Sequence, residues 1–345
     1  MRILICTPRV PFVSGGAELQ VENLKAAFVD HGHQADIVSI PFQWEPPQQM
    51  VRNMLIWRML DLNWVNGELI DMVVALKFPA YLIRHQKKVI WLTHQHRQVY
   101  DLLGTEFGFV ARNDEERRIK EVITETDSKL IPQASRVYTI SKTVADRLRK
   151  FNGIGAEPLY HPPPNAGSLR CDGYGDYIFC PSRLDLTKRQ DILVKAMALV
   201  KSRVKCVLAG GGPDEPRLRD LIARHGMQDR VKLIGFLDDR EMITHYAGAL
   251  AVYFGPLGED YGYVTLEAFY SKKAVLTLTD SGAALEFVRD GVNGFVLPSE
   301  PAAVARAIDS LFEKKQLAET MGQRAFQTIN ALQLSWDHVV EKLVS

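Results

Sequence analysis

The chain has only four cysteines among its 345 residues, and no two of them form a CxxC pair. Their spacing therefore argues against a zinc ribbon and against the disulfide framework of a small secreted domain. Cys6, Cys180 and Cys206 lie in apolar, strand-like runs, whereas Cys171 does not. We expect the first three to be buried, reduced thiols.

Long apolar runs and an excess of charge are also lacking. No stretch reaches the roughly 18 apolar residues of a transmembrane helix, and the N-terminal run MRILICTPRVPF is too short for a signal peptide. The 42 Lys and Arg residues nearly balance the 41 Asp and Glu residues. A net charge of +1 does not favour a nucleic-acid partner, so we expect a cytoplasmic protein that binds no nucleic acid.

Strand and helix patterns alternate along the whole chain, and the length suits two domains. Residues 160–176, YHPPPNAGSLRCDGYGD, hold three successive prolines and three glycines and read as a linker. Alternation begins again with a strand pattern at Tyr177–Pro181. The pattern predicts an α/β fold of two doubly wound, Rossmann-like domains facing a central cleft, with a ligand at the carboxyl ends of the strands.

The most informative stretch is EDYGYVTLE, in which Glu259 and Glu267 stand eight positions apart. Glu259 precedes the turn at Gly262, and Glu267 falls about one turn inside the helix that follows. The N–H groups and partial positive charge of a helix N-terminus suit a phosphate. Carboxylates beside a phosphate site would repel the phosphate unless they bind hydroxyl groups of the same ligand. A ligand with both a phosphate and hydroxyl groups is predicted, which suggests a nucleotide sugar. A chance spacing with a solvated Glu267 is the alternative.

Basic residues and glycines follow two other predicted strands. Arg183 and Lys188 come just after Tyr177–Pro181, where two cations can clamp a diphosphate. Their alternative is two solvated charges at a helix start. Gly15 and Gly16 follow the first strand and let a phosphate or sugar approach the backbone, although their spacing is not a GxGxxG motif. A plain tight turn would explain them equally simply.

Two histidines, His94 and His96, follow the strand pattern Lys88–Thr93. Strand alternation places both on one face. Two histidines at this spacing can bind a metal, but no acidic third ligand is evident nearby, so a polar role in the cleft is favoured over a metal site.

The segment Met54–Val65, MLIWRMLDLNWV, is strongly apolar. Its apolar residues run nearly all round a helix, which favours a buried helix or a subunit contact. Trp57 and Trp64 with the cations Arg52 and Arg58 leave open a second interpretation. Residues 52–65 would then make a peripheral contact with the inner face of a membrane or bind a lipid-linked acceptor.

Six motifs, taken in order, resemble the glycosyltransferase family 4 group over nearly the whole chain. They are GGAE at 15–18, SRLxxxK at 182–188, AGGGP at 209–213, GF at 235–236, E-x7-E at 259–267 and DGVNGFV at 290–296. The family has the GT-B fold and consists of retaining, nucleotide-sugar-dependent enzymes. The resemblance therefore implies a retaining hexosyltransferase-type enzyme that moves a sugar from a nucleoside diphosphate sugar to a hydroxyl acceptor. The acceptor would be a glycan, a lipid-linked saccharide or a small molecule, in cell-surface polysaccharide or glycoconjugate biosynthesis.

The resemblance also implies two domains, an acceptor-side domain at 1–165 and a donor-binding domain at 166–330. A C-terminal helix at about 331–345, with Trp336, would pack back on the first. No cofactor is implied, because Arg183 and Lys188 would neutralise the leaving group in place of a metal ion.

Individual residues receive roles by the same resemblance. Glu267 would bind the ribose hydroxyls, and Glu259 would lie near the donor sugar and stabilise its developing positive charge. Further donor contacts would come from the following residues: Gly15, Gly16, Gly262, the backbone N–H groups of Tyr263 and Val264, and Phe236 with Leu237 at the base. His94 matches the cleft histidine of the family best, with His96 as the second candidate on the acceptor side.

Three other functions compete with this interpretation. A nicotinamide-dependent oxidoreductase would need the GxGxxG motif that the chain lacks. A sugar-nucleotide epimerase or a phosphorylase could share the fold, although nothing marks the lysine-bound cofactor of a phosphorylase. A nucleotide-sugar-binding scaffold without catalysis is disfavoured by the intact Glu259, Glu267, Arg183 and Lys188.

Overall fold

The computed structural model of the protein describes residues 1–12 and 15–345. The chain divides into two compact units. The first unit comprises Met1–His161 and Ser335–Ser345, and the second comprises Pro162–Leu334.

Each unit alternates strands and helices. In the first part of the chain the elements are β1 (Arg2–Arg9), α1 (Gly16–Asp30), β2 (Gln34–Pro41), α2 (Gln48–Met59), β3 (Trp64–Val65), β4 (Glu68–Leu69), β5 (Met72–Lys77), β6 (Lys88–His94), α3 (Asp114–Leu130), β7 (Arg136–Thr139), α4 (Lys142–Asn152) and β8 (Glu157–Pro158). They continue with β9 (Tyr177–Pro181), α5 (Gln190–Met197), β10 (Lys205–Ala209), α6 (Glu215–Arg224), β11 (Val231–Leu233), α7 (Asp239–Gly248), β12 (Ala251–Tyr253), α8 (Tyr263–Tyr270), β13 (Val275–Leu278), α9 (Ala284–Phe287), β14 (Gly294–Leu297), α10 (Pro301–Glu313), α11 (Lys315–Ala331) and α12 (Trp336–Val344).

Each unit is built on a parallel six-stranded sheet. The strand order is β2-β1-β5-β6-β7-β8 in the first unit and β11-β10-β9-β12-β13-β14 in the second. The central strands are buried apolar runs, as expected for sheets covered by helices on both faces. This arrangement confirms the predicted α/β fold with two doubly wound sheets.

The C-terminal helix α12 belongs to the first unit. The indole of Trp336 packs edge-on against Trp91, with ring centroids 6.1 Å apart, and the Nζ of Lys87 donates to the carbonyl of Val344 at 3.1 Å. Apolar burial of Val339, Val340 and Leu343 along one face explains why this short helix packs here.

Local capping residues begin two of the helices. The side chain of Ser141 accepts from the N–H of Val144 and begins α4, and Asp238 and Glu241 form a reciprocal capping box at the start of α7. Helix α3 is not predicted from the sequence, although Asn113 caps it and Ile119 and Ile123 lie one turn apart on its buried face.

The apolar segment at 54–65 is not buried all round, which corrects the expectation of a buried helix, while a subunit contact stays a prediction. Met54 and Trp57 of α2 are buried, whereas Leu55, Ile56 and Met59 are exposed. Trp64 lies in the β3–β4 hairpin and is also exposed. Helix α2 ends at Met59, where Leu60 takes an extended conformation, and one apolar face of α2 is uncovered within the unit.

Candidate active site

The carboxyl edge of the second sheet collects most of the predicted donor residues. The chain runs from β9 outward to β10 and β11 and then returns to β12 on the other side of β9. The boundary between β9 and β12 is therefore the point at which the direction of winding reverses, where doubly wound sheets bind ligands. The loops after these two strands carry Arg183, Lys188 and Glu259.

Hydrogen bonds bring the two loops together. Asp185 caps a single 3₁₀ turn at Leu186–Lys188 by accepting from the N–H of Thr187 at 3.0 Å. The carbonyl of Thr187 in turn accepts from the N–H of Leu257 at 2.7 Å. The loop after β12 is thereby held beside the turn that carries Lys188.

Lys188 and Glu259 form an ion pair at this point. The Nζ of Lys188 donates to Oε2 of Glu259, and the Lys188 side chain is 24% exposed and that of Glu259 19%. Arg183, by contrast, is exposed and forms no ion pair with any residue in the described parts of the chain. A half-buried cation and carboxylate thus lie together, while a second cation stands nearby in sequence with its charge uncompensated.

The backbone of Glu259 is fixed by the loop that follows β13. Its N–H donates to the carbonyl of Ser281 at 3.2 Å, and its carbonyl accepts from the N–H of Ala283 at 2.9 Å. Gly282 between them has a φ of 63°, and a Cβ there would come within 2.4 Å of the Glu259 carbonyl oxygen. Only glycine fits this close approach, so Gly282 is required for the position of Glu259.

Arg189 connects the loop after β12 with the loop after β13. Its guanidinium donates to the carbonyls of Gly255 and Pro256, each at 2.8 Å, and to Asp280 at 2.8 Å. The side chain is only 14% exposed. Arg189 therefore supports the Glu259 loop, while the preceding Lys188 reaches its carboxylate.

Helix α8 begins directly after this loop. Gly262 occupies its N-cap position with a left-handed φ of 82°, and a glycine has no side chain with which to cap the first N–H groups. Tyr263 and Val264, the first two residues of the helix, present their backbone at this end. The N-terminus of α8 thus offers partial positive charge beside Glu259, as an anion site requires.

Glu267 lies one turn inside α8 and is bound by a buried tyrosine. The hydroxyl of Tyr246 on α7 donates to Oε2 of Glu267 at 2.6 Å. Burial raises the pKa of Glu267 to about 7, since the hydrogen bond from Tyr246 offsets the cost of desolvation only in part and the negative charge of Asp239 adds to it. Glu267 therefore titrates near neutral pH.

Phe236 follows β11 and is 84% exposed. Its ring lies so close to Gly211, in the glycine loop after β10, that a Cβ at that glycine would come within 2.6 Å of Cε2. Leu237 beside it is half-buried. An exposed aromatic ring beside a glycine loop at this sheet edge can stack on a planar base.

The predicted residues of the first unit lie at the carboxyl edge of its own sheet. Gly15 precedes α1 in an extended conformation, with a φ of −172°, and Gly16 is the first residue of the helix. Both glycines are exposed. His94 ends β6, is half-buried, and its Nδ1 lies 2.7 Å from the carbonyl oxygen of Gln95.

The two histidines differ, which corrects the expectation that they share one strand face. Strand β6 ends at His94, so the alternation does not extend to His96. His96 is only 7% exposed and packs against Phe78 and Phe42, at centroid distances of 5.4 and 6.2 Å. Burial, with a smaller contribution from His94, lowers the pKa of His96 to about 4, so its ring is neutral at physiological pH.

Comparison with known proteins places the chain in a family. The family description "Glycosyl transferases group 1" matches residues 169–328. A GDP-mannose-dependent alpha-(1-6)-phosphatidylinositol monomannoside mannosyltransferase of Mycobacterium tuberculosis is 32% identical over 291 residues, which cover 78% of this chain and 72% of that protein. The chain belongs to the group 1 glycosyl transferases. It is accordingly a sugar-transferring enzyme of the hexosyltransferase type.

Two further similarities agree with this membership. The putative glycosyltransferase EpsD of Bacillus subtilis is 30% identical over 209 residues, and the match covers 57% of this chain and about half, 53%, of that protein. The solved structure of Anabaena Alr3699/HepE in complex with UDP and glucose covers 100% of this glycosyltransferase, with a TM-score of 0.72 and 19% identity. At that identity the likeness shows the fold alone, which is GT-B.

Three residues of the glycosyltransferase site escape the sequence interpretation. They are Arg189, Tyr246 and Gly282, whose partners lie 21 to 91 residues away along the chain. Arg189 adjoins the predicted site residue Lys188, but its position does not reveal its partners, and Gly282 lies in none of the motifs named from the sequence. Tyr246 is an unmarked helix residue in the sequence.

The described residues contain neither a candidate metal cluster nor a candidate membrane-spanning helix. Within residues 1–12 and 15–345, no three His, Cys, Asp or Glu side chains are grouped so that they could hold a metal ion. Over the same residues, no helix combines the length and the apolar character needed to cross a membrane. Metal-independent catalysis stays a prediction.

Proposed function

We propose that this enzyme is a retaining glycosyltransferase whose second unit binds a nucleoside diphosphate sugar and whose first unit receives a hydroxyl acceptor. The observation that carries the proposal is the pairing of Lys188 with Glu259 beside the uncapped N-terminus of α8. One end of this group is cationic and suits a diphosphate. The other is anionic and suits the hydroxyls and developing positive charge of a sugar.

Different residues of the second unit bind different parts of the donor. Arg183, Lys188 and the backbone N–H groups of Tyr263 and Val264 bind the diphosphate, and Glu259 faces the sugar. Glu267 accepts from the ribose hydroxyls, oriented by Tyr246 at 2.6 Å. Phe236 stacks on the base, with Leu237 beside it and Gly262 admitting the diphosphate close to the backbone.

Transfer breaks the bond between the anomeric carbon and the diphosphate oxygen and forms a bond to the acceptor oxygen. Positive charge develops on the sugar and negative charge on the diphosphate, and preorganised charges of opposite sign stabilise each. Retention follows if the acceptor attacks from the face that the diphosphate leaves, with the departing phosphate oxygen taking the hydroxyl proton. His94, Gly15 and Gly16 in the first unit serve the acceptor and the diphosphate. No metal is needed, because Arg183 and Lys188 supply the positive charge.

A nucleotide panel tests this function most directly. We expect one of UDP, GDP and ADP to raise the melting temperature of the protein at millimolar concentration, because a ligand that binds the folded state stabilises it by mass action. Arg183→Ala should reduce that shift markedly, while the matched surface variant Arg219→Ala should leave it unchanged. The matching nucleotide sugar should then release nucleoside diphosphate slowly.

The assay of nucleoside diphosphate release from the nucleotide sugar separates the competing functions. An epimerase would convert the bound nucleotide sugar without releasing nucleoside diphosphate, and a scaffold would do neither. The absence of any shift with all three nucleotides would contradict the proposal outright.

The titration of Glu267 predicts a pH dependence of nucleotide affinity. The ionised carboxylate accepts from the ribose hydroxyls, and its pKa is about 7. As the pH falls from 8 to 6, the group therefore changes from mostly ionised to mostly protonated, and affinity for the best nucleoside diphosphate should fall about tenfold. Calorimetry at both pH values measures this change.

Two controls isolate the carboxylate from the titration of the phosphate itself. The loss of nucleotide affinity between pH 8 and pH 6 should be smaller in Glu267→Gln. It should be smaller by the same factor when the wild-type protein binds the 2′,3′-dideoxy nucleotide. The same pH slope in all three experiments would remove Glu267 from the ribose site.

The acceptor and pathway are proposed from the relatives. The mycobacterial relative is named for GDP-mannose and a phosphatidylinositol monomannoside, and we place this enzyme in cell-surface polysaccharide or glycoconjugate biosynthesis. Exposed Leu55, Ile56, Met59 and Trp64 support a peripheral contact of residues 52–65 with a membrane. Sedimentation with anionic liposomes tests that contact, and protein left wholly in the supernatant would contradict it.

A further inference from the structure

The first unit contains a cavity of about 320 Å³ at the carboxyl edge of its sheet. Its walls come from the segment after β2, from His96 beyond β6, and from the loop that precedes α3. Small-molecule sites span roughly 300–1,000 Å³, so this cavity is of the size for a compact ligand such as one sugar ring.

Aromatic side chains form one wall. Trp44, 43% exposed, lines the cavity together with Phe107 and Phe109 of the loop that precedes α3, both half-buried. The loop is fixed, because the N–H of Phe109 donates to the carbonyl of Gln98 at 2.9 Å and a Cβ at Gly108 would come within 2.2 Å of the Leu102 carbonyl oxygen. The cavity therefore presents flat apolar ring faces in a defined arrangement.

The imidazole of His96 is the buried polar group of the cavity that can recognise a hydroxyl. It is 93% buried, and neither ring nitrogen has a hydrogen-bond partner among residues 1–12 and 15–345. A ligand that supplies a hydrogen-bond partner for this imidazole is therefore favoured. A neutral imidazole has one donor and one acceptor nitrogen, which matches a hydroxyl group.

The charges around the cavity oppose an anionic ligand. Glu45, Glu106 and Glu116 line it together with a single cation, Arg112. Glu116 is engaged, since it accepts from the backbone N–H of Arg112 at 2.6 Å, while Glu45 and Glu106 are exposed at the rim. Carboxylates accept from hydroxyls and repel phosphates.

We propose that this cavity binds an uncharged pyranose ring of the acceptor, with its apolar face on Trp44 and the phenylalanines and one hydroxyl on His96. The proposal rests on the glycosyltransferase function above and deepens it. The acceptor is then recognised as a saccharide by its terminal sugar, and any phosphate or lipid it carries lies outside the cavity.

Saturation-transfer NMR tests the proposal on the full chain. The probes are the methyl α-glycosides of glucose, mannose and galactose, with glucose 6-phosphate as the charged probe and the best-binding nucleoside diphosphate present to fill the donor site. We expect transfer to the ring protons of at least one neutral glycoside and several-fold less to glucose 6-phosphate. Trp44→Ala and His96→Phe should each reduce that transfer at least fivefold. The matched control Phe151→Ala, an exposed aromatic residue of α4 that does not line the cavity, should not change it.

The outcomes separate this inference from the proposed function. Nucleotide affinity should stay within twofold in all three variants, which also shows that they fold. If His96→Phe does not fold, Trp44→Ala carries the test, because its side chain is half exposed. The inference is overturned if no neutral glycoside binds, if glucose 6-phosphate binds as well, or if binding survives both substitutions. A wild-type protein that binds no nucleotide would instead overturn the donor assignment.

Discussion

Replacing Lys188 with alanine is expected to weaken nucleoside diphosphate binding about 100-fold. A charge-assisted hydrogen bond to a phosphate contributes roughly 1.5–3 kcal/mol, and each 1.4 kcal/mol is a factor of ten in affinity. The substitution also leaves the carboxylate of Glu259, now without its ion-pair partner, beside the place of the diphosphate. Calorimetric titration with the nucleotide measures the loss.

The part of the affinity loss that is caused by the unpaired Glu259 carboxylate can be recovered by a second substitution, which makes the prediction specific. Adding Glu259→Gln to the Lys188→Ala variant should restore affinity about tenfold, because the repelling charge is removed. The matched control Lys195→Ala removes a lysine from α5 that pairs with Asp191 instead. It should bind nucleotide normally. A double variant no better than Lys188→Ala would show that the Glu259 carboxylate is too far from the diphosphate to repel it.

Glu259→Gln alone is expected to lower turnover of the donor by about 10²–10³-fold while nucleoside diphosphate affinity changes less than threefold. The carboxamide keeps the size of the side chain but loses the negative charge that stabilises the developing positive charge on the sugar. The rate is measured as release of nucleoside diphosphate from the nucleotide sugar. The affinity is measured by calorimetry on the same preparation.

Glu300→Gln serves as the control for this substitution, since Glu300 is an exposed acid at the start of α10 in the same unit. Its turnover should match the wild-type value. A wild-type rate in Glu259→Gln would remove Glu259 from catalysis. An equal fall in affinity and rate would make it a binding residue instead.

Features that depend on neighbouring residues follow from the sequence. The strand Tyr177–Pro181, the cap at Ser141 and the capping box at Asp238 involve groups within a few positions of one another. Their hydrogen bonds form within one turn, so local pattern and propensity are sufficient. The alternation of strands and helices gave the α/β class for the same reason, and the motif order gave the family.

The sequence was less successful where burial depends on distant elements. The apolar residues of α2 predict burial all round, but Leu55, Ile56 and Met59 are exposed because the fold covers one face only. His94 and His96 look equivalent in the sequence. Strand β6 ends between them, and aromatic side chains from other segments enclose only His96.

The sequence by itself thus determined the residue types and their order: the acids of E-x7-E, the cations after β9 and the glycines of the turns. Only the tertiary structure decided their partners. Lys188 meets Glu259 across 71 residues, because the carboxyl ends of parallel strands gather distant loops at one edge. Tyr246 meets Glu267 across 21 residues, because the hydrogen bond joins two helices, α7 and α8. Ion pairing and burial depend on these contacts between distant residues. Burial in turn sets the pKa of Glu267 near neutral pH, and it keeps the imidazole of His96 neutral and without a partner among the described residues.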